Sequence, residues 1–318
     1  MAAPILVLGA TGFVGRHLCE HLIQLGLPVR GASRNPGGAP AGVEKVRADV
    51  ADPTSLERAM AGCGAVVFLV HRMGDDAEYA AAERSAAANV SDAAAKAGIE
   101  RIVYLGGVAP EGKPSPHLQS RIDTGSILRA GPTPTVELRA GMIIGPGSAS
   151  WCITRDLALR LPIMLLPKWL ENRSQPIAIA DVVAALTHAA TAPGVPPGWY
   201  DLPGPEVLSA RAILERIAGL QGTRALSVSV PFVTPKLSSY WIRLVTRADF
   251  AVAKHLVDGL SADLLAPDDG YWSRMPDYPR TSFDDAAASA LRDERVDLRL
   301  RSRMLEGAAR RVSLRTSS

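Results

Sequence analysis

The chain contains no long apolar run. The best candidate, LALRLPIMLLPKWL (157–170), is interrupted by Arg160, Pro162 and Pro167, too short and too broken to cross a bilayer. The opening stretch MAAPILVLGATG has no basic segment ahead of it and is cut at Gly9, so it does not read as a signal peptide. Cysteine is scarce. Cys19, Cys63 and Cys152 stand far apart with no CxxC pairing, which excludes a disulfide framework and points to reduced thiols in a cytoplasmic protein. Excess charge is also missing: 35 basic against 32 acidic residues leave +3, and no global field favours nucleic acid or a membrane surface. At 318 residues and 47% hydrophobic, the chain has material for one large domain or two unequal ones.

What is present is a rhythm. Short β-branched runs predict strands at 5–8, 29–32, 43–47, 65–70, 102–105 and 135–138. They are continuous rather than alternating, the pattern of strands buried on both faces. Helical patterns fill most gaps, at 14–25, 53–61, 78–97 and 118–130, each followed at once by a glycine: Gly26, Gly62, Gly98 and Gly131. Glycine in that place closes a helix in the left-handed conformation at no Cβ cost. Asp52-Pro53 reads as an N-cap with proline at the first helical position. Strand and helix in alternation imply right-handed βαβ crossovers. The expected fold is therefore α/β, a Rossmann-type doubly wound parallel sheet over 1–145. Prolines then thicken, longer helical patterns appear at 211–220 and 235–264, and a smaller C-terminal lobe is expected over 146–300. Residues 301–318 form a basic, arginine-rich tail that reads as a solvated, frayed end, with a phosphate-binding arm as the alternative.

At the end of the first strand stands GATGFVG, residues 9–15. A strand, a glycine-rich turn and a helix starting near Phe13 or Val14 form the context in which such spacing means dinucleotide binding. Gly9 suits a tight turn, Gly12 lets backbone approach a pyrophosphate, and Gly15 lets helix pack on sheet. The helix start then offers unpaired N–H groups to the phosphates, and Thr11 adds a hydroxyl. An acid near the end of the second strand would select NAD by binding the ribose 2′-hydroxyl. None occurs between Glu20 and Glu44; the strand ends GASRNP, with Arg34 at the expected place and Arg30 upstream. A guanidinium there favours the 2′-phosphate of NADP(H). Asp49 and Val50 are expected beside adenine, and Val70 and His71 at the cofactor's ribose or nicotinamide.

Residues 17–21, HLCEH, match a zinc-hydrolase pattern. The helix's apolar stripe is Val14, Leu18, Leu22 and Leu25, which leaves His17, Glu20, His21 and Gln24 on the outer face. A zinc site needs its ligands lining a cleft, so no metal is expected.

GATGFVG, the Arg34 region, RADV, IVYLGG and ELRAGMIIGPGS together resemble the short-chain dehydrogenase/reductase superfamily, best its atypical, NmrA-like branch. The likeness runs over about 3–185 and includes QPIAIADVV around Asp181; PFVTPKLSSYWIRLVT (231–246) is similar to a segment of uncharacterised members. The resemblance implies a Tyr-x-x-x-Lys pair on the helix after the fifth strand and a serine at that strand's end. The sequence departs at all three. The strand ends YLGGVAP, with Gly106 and Gly107 in the serine's place, and SPHLQSRIDTG contains neither tyrosine nor lysine. His117 and Arg121 stand at the matching spacing and are the substitute candidates, His117 as general acid and Arg121 as ribose or oxyanion partner. A structural role for both, His117 as helix cap, is the alternative, and Tyr104 is expected to be packed.

Substrate contacts are expected beyond the strand ends, from Met142, Gly145, Ser148 and Trp151, with Trp169 and Trp241 more remote. The leading expectation is an NADP(H)-dependent oxidoreductase reducing a carbonyl or activated alkene of a small apolar molecule. The alternatives are a non-catalytic NAD(P)-binding redox sensor or assembly protein and, less well matched, a nucleotide-sugar epimerase or dehydratase. A homo-oligomer is left open.

Overall fold

The computed structural model describes residues 2–71, 77–110, 112, 114–160, 163–166, 168–222, 226–229 and 262–297. Most of the helical pattern at 235–264, the segment 231–246, Trp241, the side chain of Trp169 and the basic tail lie outside them.

The first half alternates strand and helix: β1 (Ile5–Leu8), α1 (Phe13–Gln24), β2 (Val29–Ser33), β3 (Glu44–Arg47), α2 (Pro53–Met60), β4 (Ala65–Phe68), α3 (Ala77–Lys96), β5 (Arg101–Gly107), α4 (Pro116–Ala130) and β6 (Thr135–Ala140). These strands lie parallel in the order β3-β2-β1-β4-β5-β6, with β11 (Gly198–Asp201) added beside β6. The chain reverses its direction of travel between β3 and β4, and this makes the β1–β4 boundary the switch point where such sheets bind ligands. The fold is a Rossmann-like doubly wound sheet.

Both faces of the sheet are covered, as continuous apolar strands require. One face buries Val7, Val67, Val103 and Leu138 under α1 and under α6 (Ile179–Thr191). The other buries Leu6, Leu8, Val66, Phe68 and Tyr104 under α2, α3 and α4. Caps fix the helix starts. Asp52 accepts from Thr54 N at 3.1 Å ahead of Pro53, and Ser115 accepts from Leu118 N at 3.4 Å, which makes Ser115 the cap of α4 rather than His117.

Two local expectations are corrected. Gly26, Gly62 and Gly98 have the left-handed φ of +72°, +74° and +66°, but Gly131 has φ −71°. A Cβ on Gly131 would overlap Ser91 Oγ on α3, so this glycine serves helix–helix approach, not a turn. Leu25 is 55% exposed, and the buried stripe of α1 is completed instead by Gly15 and Cys19.

After β6 the chain leaves the sheet through β7 (Ile143–Ile144) and α5 (Ala149–Arg160), then passes β8 (Ile163–Leu166), β9 (Arg173–Ser174) and β10 (Ile177–Ala178). It returns with α6 and β11 before β12 (Leu208–Ser209), α7 (Ala210–Leu220), β13 (Leu226–Ser229) and α8 (Phe283–Asp297). Within the stretch 146–300, α6 packs on the main sheet and β11 pairs with β6. A third apolar cluster joins α5, α7 and α8 through Trp151, Ile213, Ile217 and Phe283. Asp181, fully buried in the first turn of α6, accepts from Thr281 N (2.9 Å), Thr281 Oγ1 (2.7 Å) and the Tyr278 hydroxyl (3.1 Å), and so ties the late segment to the sheet.

Candidate cofactor and active site

The glycine loop closes on itself. Gly9 turns at φ +95°, and its carbonyl accepts from Gly12 N at 2.9 Å. A Cβ on Gly15 would overlap that carbonyl oxygen, so only glycine lets α1 start this close to β1. Gly12 differs. It is exposed, a Cβ there would stand 3.3 Å from the same oxygen, and it caps α1 without a side-chain hydrogen bond. The first-turn amides of a 12-residue helix therefore begin at an uncovered backbone, the arrangement that receives phosphate.

Arg34 is exposed just past β2. Arg30 is committed elsewhere: it pairs with Glu44 at 3.0 Å and donates to the Ala59 and Ala61 carbonyls at 3.0 and 2.7 Å. It holds β2 and β3 to the end of α2 and is withdrawn from the candidate phosphate. Arg16, which the sequence reading passed over, brings its Nη2 to 3.8 Å from where a Gly38 Cβ would stand, over the loop after β2. Its signal was adjacency, one residue after Gly15. Asp49 turns one carboxylate oxygen to Ala51 N at 3.0 Å, and Val50 O accepts from Asn89 Nδ2 of α3 at 3.0 Å.

A buried polar cluster occupies the carboxyl ends of β4 and β5. His71 places Nε2 3.1 Å from Leu105 O and Nδ1 3.8 Å from Glu83 Oε2. Burial, reinforced by the nearby Arg121 cation, pushes its pKa below the usual imidazole value. Val70 packs against the core beneath. Arg121 donates from Nη2 to Leu105 O at 3.0 Å and Gly106 O at 3.3 Å, closing the strand end rather than extending from α4. Tyr104 is fully buried, donates to Arg121 O at 3.2 Å, and is pushed up to about 12 by burial. His117 sits half-buried in the first turn of α4.

The double glycine is filled space. A Cβ at Gly107 would stand 2.8 Å from Leu118 Cδ1 and 3.5 Å from Arg121 Nε; one at Gly106 would meet Glu137 Oε1 at 2.9 Å. Glu137 is itself fully buried between Arg129 and Arg139, the latter at 2.8 Å. A side chain at either position would have to displace the end of Glu137 or of Leu118. Two further groups join here from α3 and α4: the half-buried Tyr79, beside buried Ser120. No spacing in the sequence links residues 79 and 120; the packing of α3 on α4 does.

The four expected substrate residues separate. Met142 packs at the edge of the third cluster, and Gly145 approaches the cofactor loop, its would-be Cβ 3.0 Å from Phe13 Cζ. Ser148 and Trp151 are buried. Ser148 donates to Ile143 O at 2.7 Å and accepts from Trp151 N at 3.3 Å, while Trp151 is fully enclosed in the cluster of α5, α7 and α8. Both hold the fold.

Residues 9–130 match a family model described as NAD(P)H-binding. A (4-alkanoyl-5-oxo-2,5-dihydrofuran-3-yl)methyl phosphate reductase of Streptomyces griseus subsp. griseus is 31% identical over 229 residues, covering 68% of this chain and 74% of that protein. Cinnamoyl-CoA reductase 1 of Oryza sativa subsp. japonica is 32% identical over 111 residues, 31% of this chain and 33% of that one. NADH dehydrogenase (ubiquinone) 1 alpha subcomplex subunit 9, mitochondrial, of Arabidopsis thaliana is 27% identical over 257 residues, 72% of this chain. The match spans 61% of the Arabidopsis protein, so less than two thirds of either plant relative is covered. Among solved structures, the Bordetella bronchiseptica enzyme WbmG in complex with NAD superposes with a TM-score of 0.70 at 18% identity, over 93% of this chain and 95% of that one, a likeness of fold. On the Streptomyces relative and the matched cofactor region, the chain belongs to the NAD(P)-binding short-chain dehydrogenase/reductase superfamily.

Proposed function

We propose that the chain is an NADP(H)-dependent oxidoreductase of the atypical, NmrA-like kind, reducing a carbonyl or activated alkene of a small apolar molecule. The observation that carries this reading is the exposed Gly12 at the start of α1, a cradle at the sheet's switch point that a Cβ would begin to fill. The residues fit the group: Gly9, Thr11, Gly12, Phe13, Val14 and Gly15 surround the place of the pyrophosphate, Asp49 and Val50 the adenine, Val70 and His71 the far ribose. Arg16 and Arg34 flank the end of β2, where no acid stands, and supply charge for a 2′-phosphate. The cofactor, when bound, supplies a hydride. The chain orients it, excludes water with the apolar walls around Phe13 and Met142, and supplies a proton to the substrate oxygen. Reductases among the relatives support this reaction class.

Titration with NADPH and NADH, followed by NADPH oxidation over a carbonyl panel, tests it. NADPH is expected to bind more tightly and to be oxidised; tighter NADH binding contradicts the Arg16–Arg34 assignment.

A second reading is a non-catalytic NAD(P)-binding assembly protein. The filled space at Gly106 and Gly107, the absent Tyr-x-x-x-Lys pair and the likeness to the Arabidopsis subunit favour it. Cofactor binding with no turnover over the panel is its signature.

A further inference from the structure

Carbonyl reduction needs an acid beside the substrate oxygen. The strand end offers no hydroxyl: glycines stand at 106 and 107, with the side chains of Leu118, Arg121 and Glu137 close by. Tyr104 is fully enclosed and spent on Arg121 O. Tyr200 and Tyr271 pack on one another with His188, and Tyr278 is bonded to Asp181. Tyr79 lies at the cluster around β4 and β5 itself. It stands in the first turn of α3, half-buried, beside Ser120 and within the field of Arg121 on α4. Helices α3 and α4 follow β4 and β5, so both begin at the carboxyl edge of the sheet, next to the switch point.

We propose that the Tyr79 hydroxyl is the proton donor to the substrate oxygen, delivered by α3 with Arg121 as its neighbouring cation. This rests on the reductase reading above. In the step, the substrate carbonyl carbon accepts the cofactor's hydride and the C=O π pair moves to oxygen. The Tyr79 O–H bond breaks, the alcohol O–H forms, and the phenolate, held beside Arg121, takes its next proton from water. The nicotinamide is oxidised and the carbonyl reduced. Among the described residues, Glu83 on its own helix, Ser120 and Arg121 on α4, and Tyr104 on β5 stand near the phenol. Burial first, then Glu83, pushes the phenol up, against the pull of Ser120 and Arg121. A phenol is protonated at neutral pH, the form a reduction consumes.

The full chain labelled with 3-fluorotyrosine tests this, the Tyr79 resonance being the one lost in Tyr79→Phe. Saturation with NADP+ is expected to move that resonance. Tyr79→Phe is expected to bind NADPH within twofold of the unmodified chain while losing about 100-fold or more of its turnover on the carbonyl panel. Cofactor binding with an unmoved Tyr79 resonance overturns the proposal and leaves the reductase reading standing. So does turnover retained within threefold in Tyr79→Phe, above all if His117→Phe loses it instead. A moved resonance with no turnover on any carbonyl overturns the donor role together with the reductase reading, and absence of cofactor binding removes both.

Discussion

Phe13 and Gly145 lie in close approach: a Cβ on Gly145 would stand 3.0 Å from Phe13 Cζ and 2.7 Å from Ile179 Cγ2. The first residue of α1 thus packs beside the segment that follows β7. Gly145→Val should displace Phe13, cost about 1–3 kcal/mol of stability by overpacking, and weaken NADPH binding. Unchanged binding with a lowered Tm would show that Phe13 has no part in the cofactor site.

The three glycines of the loop should fail differently. Gly15→Ala drives a methyl into the Gly9 carbonyl, backbone against backbone, and should destabilise the chain by several-fold more than Gly12→Ala. Gly12→Ala should keep its Tm within a few degrees and lose at least about tenfold in NADPH affinity, since the added methyl stands where phosphate oxygens approach. Thermal unfolding beside a binding titration separates the two.

Arginine roles should separate as well. Arg34→Asp and Arg16→Gln should each erase much of the preference for NADPH over NADH, a charge-assisted bond being worth about 1.5–3 kcal/mol, or roughly tenfold to a hundredfold. Arg30→Met should leave the preference intact and lower the Tm, because Arg30 serves Glu44 and the end of α2. The ratio of the two dissociation constants decides it.

Asp181 gives a pH signature. Burial raises its pKa above 3.8 despite the bonds from Thr281 and Tyr278. The folded chain therefore binds more proton than the unfolded chain between those two values. Its contribution to stability is full below the unfolded pKa and is lost as pH rises through the folded one, then level. Urea unfolding of the unmodified chain minus Asp181→Asn should show that decline above about pH 4. A difference that grows with pH contradicts it.

Local signals were legible and long-range ones were not. The continuous strands, the helices between them and GATGFVG could be read because strand period, helix period and turn chemistry are properties of neighbours in sequence. Gly131 misled because its helix-end position looks like a cap, whereas the reason for glycine is Ser91, 40 residues earlier on another helix. Leu25 fitted the helical stripe but falls past its buried end. Trp151 and Ser148 lie where substrate loops often run, and only the packing of α5 on α7 and α8 reveals them as structural. The return of β11 to the sheet, and the meeting of Tyr79 with Ser120, have no marker in the sequence.

The most direct measurement is calorimetric titration of the unmodified full chain with NADPH, with Gly12→Ala alongside. The account predicts saturable one-to-one binding that weakens at least about tenfold in the variant. No heat of binding from the unmodified chain, or equal affinity in both, would contradict the claim that the start of α1 holds a dinucleotide.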